Sequence, residues 1–486
     1  MQLSHDYASL PEAFSKQPAL PPLPPQPPHL LMLNTPWAEH LQISPDWLAT
    51  QDGIVFLTRG TLVGHPNPIA MAYAGHQFGH FVPSLGDGRA VLVGEVTAQD
   101  GLKHDLHLKG WGPTPFSRNG DGKAALGPVL REVLISEAMA ALGIPTTRSL
   151  AASLTGDTVY RDTPLPGAVL ARTARSHVRT GTFQYFAARQ DYAALTALTD
   201  HVTARLYPEH NDAPNKALAL LEAVIRKQAK LIAQWMHVGF IHGVMNTDNM
   251  SIAGETIDYG PCAFLDSYDP EACFSFIDRG KRYAYAQQPN VALWNLGRFA
   301  ECLLPLIHHD DAQAVEQATE LLKTFDTLFA EHYLEGWRTK LGLSGEQPSD
   351  TTLIAQFLEL LHKQKLDFTQ SFRTLNAVAH ANDPAAFLAL CSDSTSAQTW
   401  LENWQRRLAT ESISQGERFK MMQNTNPCII PRNHLVEDAI NAAYDGDLSR
   451  FKTLREALRT PFADHDKAFT RPPQPEECIA NTFCGT

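Results

Sequence analysis

The sequence predicts an α+β fold in two lobes, a small sheet-rich N-lobe followed by a larger helical C-lobe. Strand-like runs with hairpin signals crowd residues 90–173 around a single helical stretch. From about Phe183 onward, apolar positions recur at helical spacing instead. At 486 residues, with 44% hydrophobic and 19% charged positions, the chain has enough apolar side chains for two or three packed units. The expected divisions are an N-terminal proline-rich arm and strap over 1–60, an N-lobe over 61–182, a helical C-lobe over 183–460 and a tail over 461–486.

The elements follow from punctuation. Residues 17–28, with seven prolines in twelve positions, exclude helix and central strand and read as a polyproline II strap. Ala90 to Val96 and His104 to Lys109 read as strands joined across Asp100-Gly101, a hairpin signal. Pro128 suits the first turn of a helix that carries Leu130, Val133, Leu134 and Met139 and stops at Gly143 and Pro145. Residues 148–173 return to strand character, with a turn expected at Thr155-Gly156-Asp157. Helices are then expected over 218–238, 294–304 (stopped by Pro305), 313–329, 349–366 and 383–390, before an irregular tail from Pro461.

Composition narrows the function classes. A formal charge of −12 and a pI near 5.9 argue against a nucleic-acid partner. Neither an eighteen-residue apolar run nor a secretory leader pattern is present, so no membrane partner and a cytoplasmic location are expected, with a monomer as the working state. Seven cysteines without CxxC or Cys/His spacing favour neither a disulfide scaffold nor structural zinc, so a catalytic metal should be held by oxygens.

Chemistry concentrates in residues 242–260. His242 opens a segment like the catalytic loop of protein kinases, Asn249 stands where their metal-binding Asn lies, and Asp258-Tyr259-Gly260 replaces Asp-Phe-Gly. The fold expectation is therefore a protein-kinase-like one. The position of the kinase catalytic Asp is Val244, which cannot accept a proton, so ordinary γ-phosphate transfer lacks its base. Asn249 and Asp258 retain two oxygen ligands of the kind Mg²⁺ takes. Upstream, Gly86, Gly88 and Arg89 form a turn able to approach phosphate; read alone, it is equally a surface turn. Lys109 ends a strand and Glu132 lies in the next helix, a candidate ion pair. Residues 112–123 form a glycine-rich, charged loop containing Asp121 and Gly122, and Arg172, Arg175 and Arg179 cluster within eight residues.

Together these strings resemble the selenoprotein O family of kinase-like protein adenylyltransferases. The resemblance rests on Gly75-His-Gln-Phe-Gly-His80, Leu85-Gly-Asp-Gly-Arg89, Gly112-Pro-Thr-Pro-Phe-Ser-Arg118, Leu142-Gly-Ile-Pro-Thr-Thr-Arg148, Ser176-His-Val-Arg179 and residues 242–260. It implies ATP bound in a flipped pose and AMP, or UMP where UTP is the donor, transferred to Ser, Thr or Tyr hydroxyls of protein substrates with release of pyrophosphate. By the same resemblance Lys109, Arg172 and Arg179 would neutralise the leaving pyrophosphate, with Glu132 supporting Lys109. Gly86, Gly88, Arg89, Asp121, Gly122 and Asp258 would contact nucleotide. Asn249 and Asp258 would hold Mg²⁺ or Mn²⁺, and Asp248 would accept the proton. The family's C-terminal selenocysteine position corresponds to Cys484, so Cys273 and Cys484 form a candidate redox pair, in keeping with a redox or stress role. A conventional kinase and a non-catalytic ATP-binding pseudokinase are the alternatives; Val244 counts against the first, and a retained metal site against the second.

Overall fold

The structure, a computed structural model, describes residues 2–482. Its N-terminal part is built on an antiparallel sheet of five main strands: β1 (His29–Leu33), β2 (Ala90–Thr97), β3 (Lys103–Lys109), β4 (Arg148–Tyr160) and β5 (Pro164–Ala174). Their order is β1-β4-β5-β3-β2, with the short segment Ala124–Ala125 added beside β5. Side chains alternate across a strand, so the sheet has two faces to cover. Val91, Val93, Leu106, Leu108, Leu150 and Val169 pack under N-terminal residues that include Leu41 and Leu48, just beyond helix α1 (Thr35–His40). Ala152, Ala168 and Leu170 face helix α2 (Leu126–Ala141).

The hairpin across Asp100-Gly101 and the helix after it are present. The turn expected at Thr155-Gly156-Asp157 is not. β4 runs through it, and the chain reverses at Arg161, whose N–H bonds Thr163 O at 3.2 Å. Gly156 serves another purpose: its φ is +82°, and a Cβ there would lie 2.0 Å from the carbonyl oxygen of Gln26. The glycine is needed because the proline-rich arm crosses β4 at that point.

The C-terminal region is helical, led by α3 (Lys216–Val238), α4 (Gln288–Ile307) and α5 (Asp311–Lys340). α4 passes through Pro305 rather than stopping before it, because a proline in the last turn removes only one hydrogen bond and its fixed φ is helical. α5 extends eleven residues beyond its expected end at Phe329. The tail after Pro461 has two short helical turns, Lys467–Thr470 and Pro475–Glu477.

Two late helices, α6 (Asn433–Tyr444) and α7 (Ser449–Leu458), return to the N-terminal part. Val436, Ile440, Phe451 and Leu454 share one apolar core with Leu130, Val133 and Leu134 of α2. The Tyr444 hydroxyl accepts the Gly127 N–H at 2.9 Å. α2 is therefore buried nearly all round, between the sheet and the end of the chain. Among the described residues, no helix is long and apolar enough to cross a membrane.

Candidate active site

β3 and β5 are antiparallel neighbours with His107 opposite Arg172 and Lys109 opposite Leu170. Two-residue alternation places all four side chains on one face, toward a cleft of about 240 Å³. Lys109 Nζ donates to Glu132 Oε2 of α2 at 2.6 Å and to Asp258 Oδ1 at 2.7 Å. Arg172 Nη1 bridges the same two carboxylates, at 2.9 Å to Glu132 Oε1 and 2.6 Å to Asp258 Oδ1. Arg179 Nη1 reaches Asp258 Oδ2 at 3.0 Å and the Asp248 carbonyl at 2.9 Å, with its guanidinium 4.5 Å from the centre of the Tyr73 ring. Lys109, Arg172 and Arg179 thus surround Glu132 and Asp258 in a buried cluster, with ammonium and guanidinium donors of the kind that bind phosphate.

Asp258 owes its position to a left-handed backbone, φ +62°, which turns its carboxylate into the cleft while Tyr259 goes into the core. There the Tyr259 hydroxyl pairs with that of Thr146, and its ring meets Phe240 edge-on. Burial alone would raise the Asp258 pKa, but the charges of Arg172, Lys109 and Arg179 outweigh it and hold the carboxyl well below the usual range. Burial opposes charge on Arg172 too; Asp258 and Glu132 overcome it and keep the guanidinium protonated.

Asp248 and Asn249 sit on the tight turn Thr247–Asn249. Burial pushes the Asp248 carboxyl up to about 6 against the opposing Arg179 charge. Its Oδ1 is buried with no hydrogen-bond partner among the described residues. The strand Gly75–Gln77 packs against it so closely that a Cβ on Gly75 would lie 2.6 Å from that oxygen. Asn249 Nδ2 donates to Val244 O at 2.9 Å, which aims the amide and keeps Val244 at the cleft wall. His242 is structural: neutralised by burial, it donates from Nε2 to Ile257 O at 2.9 Å and ties the two ends of the loop together.

The Asn249 amide oxygen and the Asp258 carboxylate line one cleft and are oxygen donors of the kind Mg²⁺ or Mn²⁺ takes. The residues present therefore fit such an ion.

Gly88 and Arg89 line this cleft and an adjoining hollow of about 530 Å³, where Gly86, Asp121 and Gly122 lie. Gly86 (φ +62°) leaves no room for a Cβ, which would sit 2.2 Å from the Phe116 ring. Asp121 is at the rim, paired with Arg161 at 2.8 Å rather than with any of the three clustered arginines; burial raises its pKa, but the Arg161 bond and the Lys123 N–H together outweigh it and lower the pKa on balance. Arg175 turns away from the cleft, its Nε on Lys103 O at 3.2 Å. Cys273 is half-buried, 3.4 Å from Asp278 Oδ2, and Thr482 forms a bridge with nearby Ser275; Cys484 lies outside the described residues.

Sequence reasoning assigned no role to Tyr73, Gln77, Asp87 or His107, which also build the site. Asp87 Oδ2 accepts from His107 Nε2 at 3.0 Å, and His107 Nδ1 accepts from Arg172 Nε at 3.3 Å, so a buried neutral imidazole sets the angle of the arginine fork. His107 could have been found from its place two residues before Lys109 on one strand face. For Tyr73 and Gln77 local patterning carries no signal.

A family model described as "Protein adenylyltransferase SelO" matches residues 2–459. Curated relatives named protein nucleotidyltransferase YdiU match nearly end to end. One from Bradyrhizobium sp. (strain ORS 278) is 53% identical over 99% of this chain and 98% of its own. One from Rhodopseudomonas palustris (strain HaA2) is 52% identical with the same coverage, and one from Rhizobium rhizogenes is 51% identical over 99% and 96%.

Proposed function

The chain belongs to the SelO family of protein adenylyltransferases and is a protein nucleotidyltransferase, and we propose that it moves AMP from ATP to protein hydroxyls through the cleft beneath β3 and β5. The observation that carries this reading is the cation cluster of Lys109, Arg172 and Arg179 facing Asp258, in a loop whose proton-acceptor position is Val244. More positive charge lies at the sheet side of the cleft than a metal-bridged γ-phosphate needs, and no carboxylate stands where a kinase keeps its base.

In the proposed pose the β- and γ-phosphates lie against the three cations and the α-phosphorus faces Asp248. The acceptor oxygen of a Ser, Thr or Tyr attacks the α-phosphorus, the bond to the bridging α–β oxygen breaks, and pyrophosphate leaves with its charge held by Lys109, Arg172 and Arg179. Asp248, with its unpartnered Oδ1, takes the hydroxyl proton. Glu132 orients Lys109 and Arg172 together. Gly86, Gly88, Arg89, Asp121 and Gly122 supply the wall against the rest of the nucleotide, and UTP is a competing donor. A divalent ion held by Asn249 and Asp258, Mg²⁺ or Mn²⁺, would supply charge neutralisation on the phosphates.

A strand lysine, a helix glutamate and the Asn249 and Asp258 loops gathered round one cleft favour a kinase-like fold. The charge of −12 supports a reading without a nucleic-acid partner, and the protein is taken as a cytoplasmic monomer that acts on proteins and has no membrane partner. The Ser275–Thr482 bridge, which brings the chain just before Cys484 beside the Cys273 segment, supports the proposed Cys273–Cys484 redox pair, and the stress role is proposed with it. ATP labelled at the α- or at the γ-phosphate tests the central reading. α-Label on a protein acceptor is expected; γ-label would replace it with a kinase.

A further inference from the structure

Away from the cleft, three ligand-type side chains converge at the turn end of the β2–β3 hairpin. His104 stands on β3, Asp100 in the hairpin turn and His40 at the end of α1, with one donor atom from each within 4.8 Å of the other two. Other groups hold α1 and the hairpin together. Gln99 N donates to His40 O at 2.8 Å, Gln99 Nε2 to Glu39 O at 3.0 Å, and Gln42 Nε2 to Thr97 O at 3.1 Å. The Trp37 indole stacks on the His40 ring at 4.8 Å and meets His104 edge-on at 5.4 Å. Both imidazoles are thus placed by ring contacts that make no use of their nitrogens.

Asp100 commits Oδ1 to the Leu102 N–H at 2.9 Å, and its Oδ2 faces His40 Nε2 at 3.7 Å. That gap is too long for a hydrogen bond. It is close to the roughly 3.3 Å between two donors on one tetrahedral zinc with bonds of about 2.0 Å. His40 and Asp100 are open enough to admit an ion from solvent.

We propose that His40, Asp100 and His104 bind one divalent transition ion of the zinc class, water completing its coordination, and that this ion clamps α1 to the hairpin. Mixed nitrogen and carboxylate donors suit zinc, whereas the oxygen set of Asn249 and Asp258 suits Mg²⁺, so the two sites select different metals. β3 begins at this clamp and ends at Lys109, so the ion would stiffen the strand that presents the cleft lysine.

The test uses chelator-treated full-length protein titrated with Zn²⁺ or Co²⁺ alone, without nucleotide. One equivalent of Co²⁺ should give visible d–d absorption, and Zn²⁺ should raise the Tm. His40→Ala and Asp100→Asn, both at accessible positions, should each weaken binding by more than the roughly 10–100-fold that loss of an outer-shell partner causes. Asn249→Ala should keep the Zn²⁺ response. Absence of a Zn²⁺ effect on the wild type, its survival in both His40→Ala and Asp100→Asn, or its loss in Asn249→Ala would each overturn the proposal.

Discussion

At the scale of single residues, Asp258 is the centre of the site because three cations are buried around it. Asp258→Asn should lower transfer of α-label at least about 100-fold, the scale of losing one charge-stabilising group. Removing one partner of a buried ion cluster costs about 3–5 kcal/mol, so the variant should also melt earlier. Pyrophosphate added without divalent ion should then bind the variant more tightly than the wild type, as calorimetry would show, because it supplies the missing negative charge. Asp248→Asn should behave differently. Its transfer rate should fall roughly 10²–10⁴-fold, as for loss of a general base, while ATP affinity stays near the wild-type value. A matched loss of both in single-turnover and binding measurements would make Asp248 an orienting residue instead.

At the scale of elements, α5 ends in a side chain that its surroundings barely tolerate. Lys340 is buried, with its ammonium 4.2 Å from the Phe372 ring and 5.8 Å from that of Phe368. Burial lowers its pKa from 10.5 to about 7. Its folded pKa lies below the unfolded one, so between these values the unfolded chain binds more protons. Stability therefore falls as pH drops from about 10.5 to about 7 and levels off below. The two rings offset part of that loss through cation–π attraction. Lys340→Met, which keeps the stem packing without the charge, should stabilise by roughly 1–3 kcal/mol at pH 7 and by nothing above about pH 10.5. Urea unfolding at several pH values measures both.

At the scale of the whole molecule, the end of the chain supports the site from behind. α6 and α7 cover the side of α2 that the sheet leaves bare, and α2 carries Glu132. Ile440→Asp, which places a charge against Gly127 and Leu130, should destabilise by about 2–5 kcal/mol and reduce transfer although Ile440 lies outside the cleft. Denaturant midpoints and the α-label assay report the two effects. The sequence by itself determined the local terms: the β2–β3 hairpin from Asp100-Gly101, α2 from its apolar spacing, and the grouping of Lys109, Glu132, Asn249 and Asp258, which the fold brings to one cleft, from their order along the chain. It also placed a valine, Val244, which cannot accept a proton, in the segment that resembles a kinase catalytic loop. Only the tertiary structure decided that Lys109 and Asp258, 149 positions apart, share a bond. It likewise decided that Arg175 leaves its cluster, that Asp121 takes Arg161, and that α6 and α7 fold back onto α2. The physical reason is that periodicity and turn chemistry report which face of an element is apolar and where the chain can bend. Which partner covers that face, and which charge meets which across a cleft, depends on distances set by the packing of the whole chain.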